Sequence, residues 1–368
     1  MTVTDIPEIR VGIDGRKFPR AAELGPLGLI ERCAELGHAG VFFRTVLDVS
    51  PTLDQGFLAA VKQRADELGL SLEMGLGKIN PYNTPEAPEV RDVGKGDYLL
   101  GMTRMIEATT AIGCTALWGD TANYQRHDWG LHAIDRYRTD VDWPDQLEAT
   151  RKFLLKLKPV LRDRGAVIAV ETHEEITTAE IVRLVEQVGA DALGVTLDLA
   201  NVVVRGEDPV AATRRVAPYV KKTHMRDIVL FARPLGLERQ TRACGDGVID
   251  WQAVLGALFA AGSFPNFTIE NVWGSDKNQI PLFDPDWQAR QPHAEMGEIL
   301  ELIRLSRLFE DAVAAGTMIA PDDYFSEHPD LDELGGFVTR SGATLNAGAA
   351  APRANVSKDS PQMNYPLK

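Results

Sequence analysis

The sequence predicts a (β/α)8 barrel, and two features of its second half indicate this fold. Four short, largely apolar segments each end near an acidic residue or a histidine, namely Glu171, Asp198, His224 and Glu270. Such segments are typical of strands buried on both faces, as in a parallel sheet covered by helices. Helical patterns lie between them, over 178–188 and 209–216. Because a barrel of this type places its chemistry at the carboxyl ends of its strands, these polar residues also mark a candidate site.

Length and composition fit one soluble barrel with insertions. The chain has 368 residues, 44% of them hydrophobic and 25% charged, whereas a barrel needs about 250 residues. The formal net charge of −14 argues against a nucleic acid partner, because a phosphate backbone requires a basic surface. Cys33, Cys114 and Cys244 show no CxxC spacing and predict free thiols in a reducing cytoplasm. No signal-peptide core and no apolar run of roughly 18 residues is present, so we expect no membrane partner.

The first half of the chain alternates between predicted strands and helices. Strands are predicted over 9–13, 40–44, 70–76 and 114–120, and amphipathic helices over 26–36, 54–68 and 98–112. Gly37, Gly69 and Gly113 follow the three helices, where a C-cap glycine is common. Arg44 and Trp118 fall at or near the carboxyl ends of strands two and four. We therefore expect both side chains at the barrel mouth, in contact with substrate.

The second half completes the barrel and leaves a C-terminal extension. A helix is predicted over 143–164, strand five over 167–172 and a last helix over 295–315. We therefore assign 1–315 to one barrel domain and 316–368 to an extension that is partly flexible or docks on a partner. From about Ser341 the extension lacks the apolar residues needed to offset the entropy cost of ordering.

Three stretches interrupt the alternation, over 121–143, 231–248 and 272–293. Long loops inside a compact domain are usually functional, and these follow strands four, seven and eight on the catalytic face. They carry four tryptophans, which could stack on sugars or only pack a lid: Trp129, Trp143, Trp273 and Trp287. The second stretch supplies the basic residues that could bind a phosphate, namely Arg233, Arg239 and Arg242. Without a glycine-rich phosphate loop, we do not expect a sugar phosphate substrate.

The four polar residues form a candidate metal site. Each residue alone is often only a hydrogen-bonded residue at a barrel rim. Together, three carboxylates and one imidazole suit Mn²⁺, Mg²⁺ or Co²⁺ better than a structural zinc, and we favour Mn²⁺. Burying three carboxylates at a barrel mouth without a cation would cost several kcal/mol each. The predicted ligands are Glu171, Asp198, His224 and Glu270.

The sequence resembles the xylose isomerase-like barrels described as sugar phosphate isomerases and epimerases. The shared motifs are ETHEE at 171–175, LDLAN at 197–201, GEDP at 206–209, VAPYVKKTHMRD at 216–227 and GDGVIDW at 245–251. The resemblance covers roughly residues 9–315 and implies a divalent ion held by a Glu, Asp, His, Glu set in this chain order. It also implies removal of a proton next to a carbonyl, with Glu171 and Glu270 as the two bases of an epimerase.

Several neighbouring residues have a functional and a structural interpretation. His173 follows Glu171 by two residues, so it is a second candidate base or else a hydrogen-bonding support. Arg226 could hold a substrate oxygen or pair with Asp227. Lys222 is a weaker candidate, because a lysine on a barrel strand can extend to solvent.

The extended loops resemble those of one branch, the catalytic (α) subunit of bacterial C-glycoside deglycosidases. That resemblance implies a lyase that deprotonates a 3-oxo-glycoside and eliminates the aglycone, working with a small β subunit in an oligomer. Alternatives that would use the same site are a ketose isomerase or epimerase and an inosose-type dehydratase. A non-enzymatic scaffold would require the four predicted ligands to be coincidental, and an abasic-site endonuclease would need more histidine ligands and a basic face.

Overall fold

The structure is a computed structural model that describes residues 9–127, 130–270, 277–324 and 331–350. Its core is a closed barrel of eight parallel strands, which confirms the predicted fold class. Around the barrel the strands are β1 (Val11–Asp14), β2 (Gly40–Phe43), β3 (Ser71–Lys78), β4 (Ala116–Asp120), β7 (Val167–Glu171), β8 (Leu193–Asp198), β9 (Val220–Met225) and β12 (Phe267–Ile269). Chain order and barrel order agree, as right-handed strand–helix–strand connections require.

Helices connect and cover the strands. In the first half they are α1 (Ala21–Glu35), α2 (Val46–Val49), α3 (Gln55–Glu67), α4 (Pro88–Val93), α5 (Tyr98–Ala111) and α6 (Trp143–Asp163). In the second half they are α7 (Thr178–Val188), α8 (Leu199–Val202), α9 (Pro209–Val216), α10 (Trp251–Ala260), α11 (Pro285–Ala289), α12 (Met296–Ala314) and α13 (Leu331–Ala350). No helix in the described ranges is long and apolar enough to cross a membrane.

Local sequence explains where individual helices begin. The Thr177 side chain accepts the backbone N–H of Glu180, and the Glu180 side chain accepts that of Thr177, so a capping box starts α7. Asp198 caps α8 by accepting the N–H of Ala200 at 3.0 Å. A candidate metal ligand therefore also begins a helix, which fixes its backbone.

The stretch 231–248, predicted to be irregular, is largely an antiparallel hairpin. Strands β10 (Asp227–Arg233) and β11 (Gly236–Arg242) pair along their whole length, and β13 (Lys277–Ile280) adds a third strand. The close approach of β13 requires Gly236, because a Cβ there would lie 2.3 Å from the carbonyl oxygen of Ile280. The prediction failed because β11 is rich in charged residues that are buried here, so no apolar alternation marks it.

The loop 121–143 also contains a hairpin. Strand β5 (Tyr124–His127) pairs with β6 (Gly130–Ala133), and a 3-10 turn over Asp135–Tyr137 follows. The Asn123 carbonyl accepts the N–H of Ile134, which closes the base of this hairpin.

The C-terminal extension folds back on the barrel. Helix α13 packs on α10, with Phe337, Val338 and Leu345 buried. Residues 341–350 belong to this helix, although the sequence there has few large apolar side chains. Small residues such as Gly348 allow close approach to the backbone of Trp251, so few apolar side chains are needed. The remainder of the extension, 351–368, lies outside the described residues.

The barrel interior contains a buried ion pair beneath the candidate site. Lys222 Nζ donates to Glu73 Oε2 at 2.6 Å, and Lys222 is only 1% exposed. The expectation that this lysine extends to solvent is wrong, because Glu73 supplies a partner inside the barrel. Asn266 and Thr268 donate to the same carboxylate.

Candidate metal centre

Four buried side chains meet at the carboxyl ends of four consecutive barrel strands. Glu171 ends β7, Asp198 ends β8, His224 lies near the end of β9 and Glu270 follows β12. Each offers one ligand atom, and these atoms all lie within 4.8 Å of one another. The parallel register brings them together, since Asp198 pairs with His224 and His224 with Thr268. This cluster could hold a divalent metal ion.

Each carboxylate in the cluster has a donor that orients it. Trp118 Nε1 donates to Glu171 Oε2 at 2.9 Å. Asn201 Nδ2 donates to Asp198 Oδ2 at 3.0 Å. The remaining lone pairs of these oxygens can face the centre of the cluster.

Glu270 is held by cations instead. Arg44 Nη2 donates to Glu270 Oε1 at 2.7 Å and to Asp14 Oδ2 at 3.0 Å. Lys17 Nζ lies 3.5 Å from Glu270 Oε1, and Arg226 Nη2 lies 3.5 Å from Oε2. Positive side chains therefore stabilise this buried carboxylate from both of its oxygens.

His224 presents one ring nitrogen to the carboxylates. Its Nδ1 lies 2.9 Å from Glu171 Oε1 and 3.6 Å from Glu270 Oε2. Its Nε2 is buried without a hydrogen-bond partner among the described residues. Nδ1 is therefore the atom that could bind a cation, and Nε2 would carry the hydrogen.

Burial and charge act in opposite directions on these groups. Burial raises the pKa of Asp198 to about 6, although the charge of Arg226 opposes the rise. Burial would also raise the pKa of Glu171, but His224 and His173 together outweigh it and lower that pKa to about 2. Burial lowers the pKa of His224, but the carboxylates of Glu171, Glu270 and Asp14 together raise it by more. Each shift reflects a dense group of carboxylates that requires positive charge, which is what a cation supplies.

A cavity of about 980 Å³ opens beside the cluster. Arg44 and Trp118 line it and also contact the candidate ligands Glu270 and Glu171. The cavity continues between α1 and α4, where apolar and charged residues share its wall. The apolar residues include Ala21, Ala22, Pro26, Leu29, Ala87 and Val90, and the charged ones include Asp48 and Glu89. The cluster therefore adjoins a space at the upper end of the range of about 300–1,000 Å³ that is common for ligand pockets.

The family follows from a match over most of the barrel. Residues 30–304 match the family model described as a xylose isomerase-like TIM barrel. The chain belongs to this family. The match includes all four strand ends that form the cluster, so this site lies inside the region that defines the xylose isomerase-like barrel.

Two curated relatives are more distant. A protein of Escherichia coli named uncharacterized protein YihM is 26% identical over 158 residues, which are 42% of this chain and 48% of that relative. The matched region thus spans about half the length of that relative. The 3-oxo-isoapionate decarboxylase of Pectobacterium atrosepticum is 24% identical over 234 residues, 63% of this chain and 72% of the enzyme.

The fold is also similar to that of solved structures. A D-psicose 3-epimerase determined in the presence of D-fructose aligns with a TM-score of 0.55 at 19% identity. The alignment covers 83% of this chain and 99% of the epimerase. At this identity the likeness concerns the xylose isomerase-like fold alone.

His173 lies beside the cluster and is held by neighbours on both sides. Its Nδ1 lies 2.7 Å from Glu175 Oε2, and its Nε2 lies 2.8 Å from the hydroxyl of Tyr124. Burial would lower the pKa of His173, but the carboxylates of Glu175, Glu171 and Glu174 together outweigh burial and raise it to about 10. This arrangement favours the hydrogen-bonding interpretation over that of a free base.

The predicted substrate-binding residues have different positions. Arg44 and Trp118 line the cavity. Arg226 donates to Asp198 and, at 3.2 Å, to Asn201 Oδ1, so it does not pair with Asp227. Trp129 and Trp273 lie outside the described residues. Their role in substrate binding stays a prediction.

The other predicted loop residues have structural partners. Trp143 Nε1 donates to Glu180 at 3.1 Å, and Trp287 is buried. Neither tryptophan lines the cavity beside the cluster. Arg239 and Arg242 are completely buried and bound to protein acceptors, so they do not form a phosphate site with Arg233.

Sequence reasoning missed several residues that shape the site. Asn201 and Lys17 contact the candidate ligands directly. Asp14 accepts a hydrogen bond from Arg44, which also donates to Glu270. Asp14 ends β1 as Asp198 ends β8, so its position at a strand end was an available signal. Tyr124 and Glu175 carried no such signal, because they reach the site through a hairpin and a loop.

Proposed function

We propose that this chain is a divalent-metal-dependent enzyme that removes a proton next to a carbonyl of a sugar-derived substrate. The observation that carries this proposal is the cluster of four buried ligand atoms within 4.8 Å, beside a cavity of about 980 Å³. A cluster without a cavity would suit a structural metal. A cavity without the cluster would offer nothing to stabilise the oxyanion that develops when such a proton leaves.

Glu171, Asp198, His224 and Glu270 would hold the ion, with Mn²⁺ favoured and Mg²⁺ or Co²⁺ as alternatives. When bound, the ion would supply positive charge for the oxyanion formed at the carbonyl. Trp118 keeps the Glu171 carboxylate in place, and Arg44 does the same for Glu270. Either glutamate could accept the proton.

The favoured reaction is elimination of an aglycone from a 3-oxo-glycoside. A base takes the proton from C2, the C2 electron pair forms the C1–C2 double bond, and the bond from C1 to the aglycone breaks. The aglycone leaves with those electrons and is protonated, so no oxidant or reductant is consumed. Apolar residues in the cavity wall, such as Pro26 and Leu29, could contact an aglycone, and one relative is named for a 3-oxo substrate.

The second candidate is a ketose isomerase or epimerase. It is supported by the position of two carboxylates, since Glu171 and Glu270 both approach His224 Nδ1, at 2.9 and 3.6 Å. An epimerase needs two bases on opposite faces of one carbon. An inosose-type dehydratase would begin with the same proton and expel hydroxide instead of an aglycone.

Metal content tests whether the protein binds a divalent ion, and product analysis tests which reaction it catalyses. We expect about one equivalent of Mn²⁺ per chain after loading, lost in Glu171→Gln and Asp198→Asn but kept in Glu186→Gln, which changes an exposed glutamate on α7. The loaded enzyme is then assayed on 3-oxo-glucosides, free ketoses and inososes. Released aglycone supports the lyase, an epimer or an isomer supports the second candidate, and a protein that binds no metal under any loading condition contradicts the whole proposal.

A second subunit is a separate question within the same proposal. A small β subunit, if required, would appear as a chain that co-purifies from the native source in native mass spectrometry. Full lyase activity of the isolated chain would exclude that requirement.

A further inference from the structure

Arg239 is one of the largest side chains that the fold buries completely. It lies on β11, in the inserted hairpin, and not on a barrel strand. Burying a guanidinium costs free energy unless its N–H groups donate to acceptors. Its acceptors therefore show which part of the molecule it stabilises.

These contacts lead to the candidate metal centre. Arg239 Nη1 donates to the carbonyl oxygen of Ala200 at 2.9 Å and to Asn201 Oδ1 at 3.3 Å. Asn201 in turn donates to Asp198 Oδ2 at 3.0 Å, and Ala200 donates its N–H to Asp198 Oδ1 at 3.0 Å. Both of these residues therefore contact Arg239, and Arg226 is a second donor to Asn201 Oδ1, at 3.2 Å.

Glu174 holds the other end of the guanidinium. Its Oε1 accepts from Arg239 Nη2 at 3.2 Å and also from Asn278 of β13. Its Oε2 accepts the N–H of Ala133 on β6 at 3.3 Å. The hairpin β5–β6 and the sheet β10–β11–β13 are thus joined to a residue three positions after Glu171.

We propose that Arg239 is a positioning residue for the candidate metal centre, and that it acts on Asp198 through Asn201. This inference rests on the proposed function, because it assigns the inserted sheet a role in metal affinity. Partners that orient a ligand typically change metal affinity by about 10- to 100-fold when they are removed. Without Arg239, the Asn201 amide keeps Arg226 as a donor but loses its second one, so it is held less firmly against Asp198.

Arg242 provides a matched control. It lies three residues further along β11, hence on the opposite face of the strand, and it is also completely buried. It donates to Gln240 Oε1 at 2.8 Å and to the carbonyl oxygen of Ile319 at 3.0 Å, on the side of the C-terminal extension. Arg242→Met therefore removes an equally buried guanidinium without touching the path to Asp198.

The experiment measures Mn²⁺ affinity by titration calorimetry on the full-length chain, with circular dichroism as a check of folding. We expect Arg239→Met to weaken Mn²⁺ binding about 10- to 100-fold and Arg242→Met to leave it within about twofold. Asn201→Ala should weaken binding similarly, and the double variant Arg239→Met/Asn201→Ala should be no weaker than Asn201→Ala alone. Asn201→Ala is a small change that tests the same path if Arg239→Met does not fold.

The outcomes separate the inference from the proposed function. Wild-type protein that binds no Mn²⁺ contradicts the metal-dependent function itself. Normal Mn²⁺ binding by the wild type together with unchanged affinity in Asn201→Ala overturns the role of the path. Equal losses in Arg239→Met and Arg242→Met, or additive losses in the double variant, would show that Arg239 stabilises the fold generally and does not position Asp198.

Discussion

At the scale of single residues, each carboxylate of the candidate metal centre is oriented by a hydrogen-bond donor that is not itself a candidate ligand. Trp118 serves Glu171, Asn201 serves Asp198 and Arg44 serves Glu270. Trp118 lies on β4, Asn201 on α8 and Arg44 immediately after β2, so each ligand is fixed from outside its own strand. This arrangement limits the rotamers of the carboxylates before any ion binds.

His38 gives the molecule a pH dependence that is independent of the metal centre. It lies between α1 and β2, at the amino end of the barrel, and burial lowers its pKa to about 4. In the unfolded chain a histidine titrates near about 6.5, so the unfolded state binds its proton first. Its contribution to stability is complete above that pH and is lost as the pH falls towards 4. At pH 5 the loss is about 1–2 kcal/mol.

The variant His38→Gln should therefore flatten the stability profile in acid. Urea unfolding at pH 7 and pH 5 measures the change in unfolding free energy, and wild type should lose about 1–2 kcal/mol more than the variant between these values. His293→Gln, at an exposed position, is the control and should follow wild type. Parallel profiles for wild type and His38→Gln would contradict this prediction.

At the scale of elements, the barrel strands were predictable and the inserted elements were not. Segments such as β7 and β8 are apolar, buried on both faces and bounded by helices, so their pattern indicates a parallel sheet. Their carboxyl ends converge in any closed barrel, and for this reason the cluster around Glu171 and Asp198 could be anticipated. Strand β11 reads as a polar loop, because its buried arginines are satisfied by distant acceptors that no local pattern reveals.

Helix α13 is another element that the sequence pattern did not predict, and its contacts with the barrel lead to a prediction. Asn346 accepts the N–H of Ile9 at 2.7 Å and donates to its carbonyl oxygen at 2.9 Å, just before β1 begins. Asn346→Ala removes both bonds and should lower the unfolding free energy by about 1–2 kcal/mol in urea unfolding. Thr339→Ala, an exposed position on the same helix, should change it little. If both variants match wild type, α13 does not hold the barrel through Asn346.

At the scale of the whole molecule, the barrel encloses charge at two levels. The upper level is the candidate metal centre, and the lower level is the pair of Lys222 and Glu73. Lys222 Nζ also lies 4.8 Å from the centroid of the Phe42 ring, and that ring lies 4.9 Å from the His224 ring. The two levels are thus in contact through one aromatic side chain. A sequence shows which side chains of a strand point into a barrel. Which of them pair across the barrel depends on how the sheet closes and how far its strands tilt.

The buried pair at the lower level should show strong coupling. Burial would raise the pKa of Glu73, and Lys222 is the main group that lowers it. Lys222→Met therefore leaves the Glu73 carboxylate buried without the cation that stabilises its charge. Removing one partner of a buried pair typically costs about 3–5 kcal/mol, whereas replacing both is far less costly. We expect Lys222→Met and Glu73→Gln each to lower the unfolding free energy by about that amount.

The double variant Lys222→Met/Glu73→Gln should be more stable than the sum of the two single losses predicts, by at least about 1 kcal/mol. Urea unfolding at one pH measures all four chains of the cycle. Strict additivity would mean that the two side chains contribute independently and that solvent reaches the barrel interior. Strong coupling would show that the barrel keeps its lower level dry, because charges interact more strongly in a dry interior than in water.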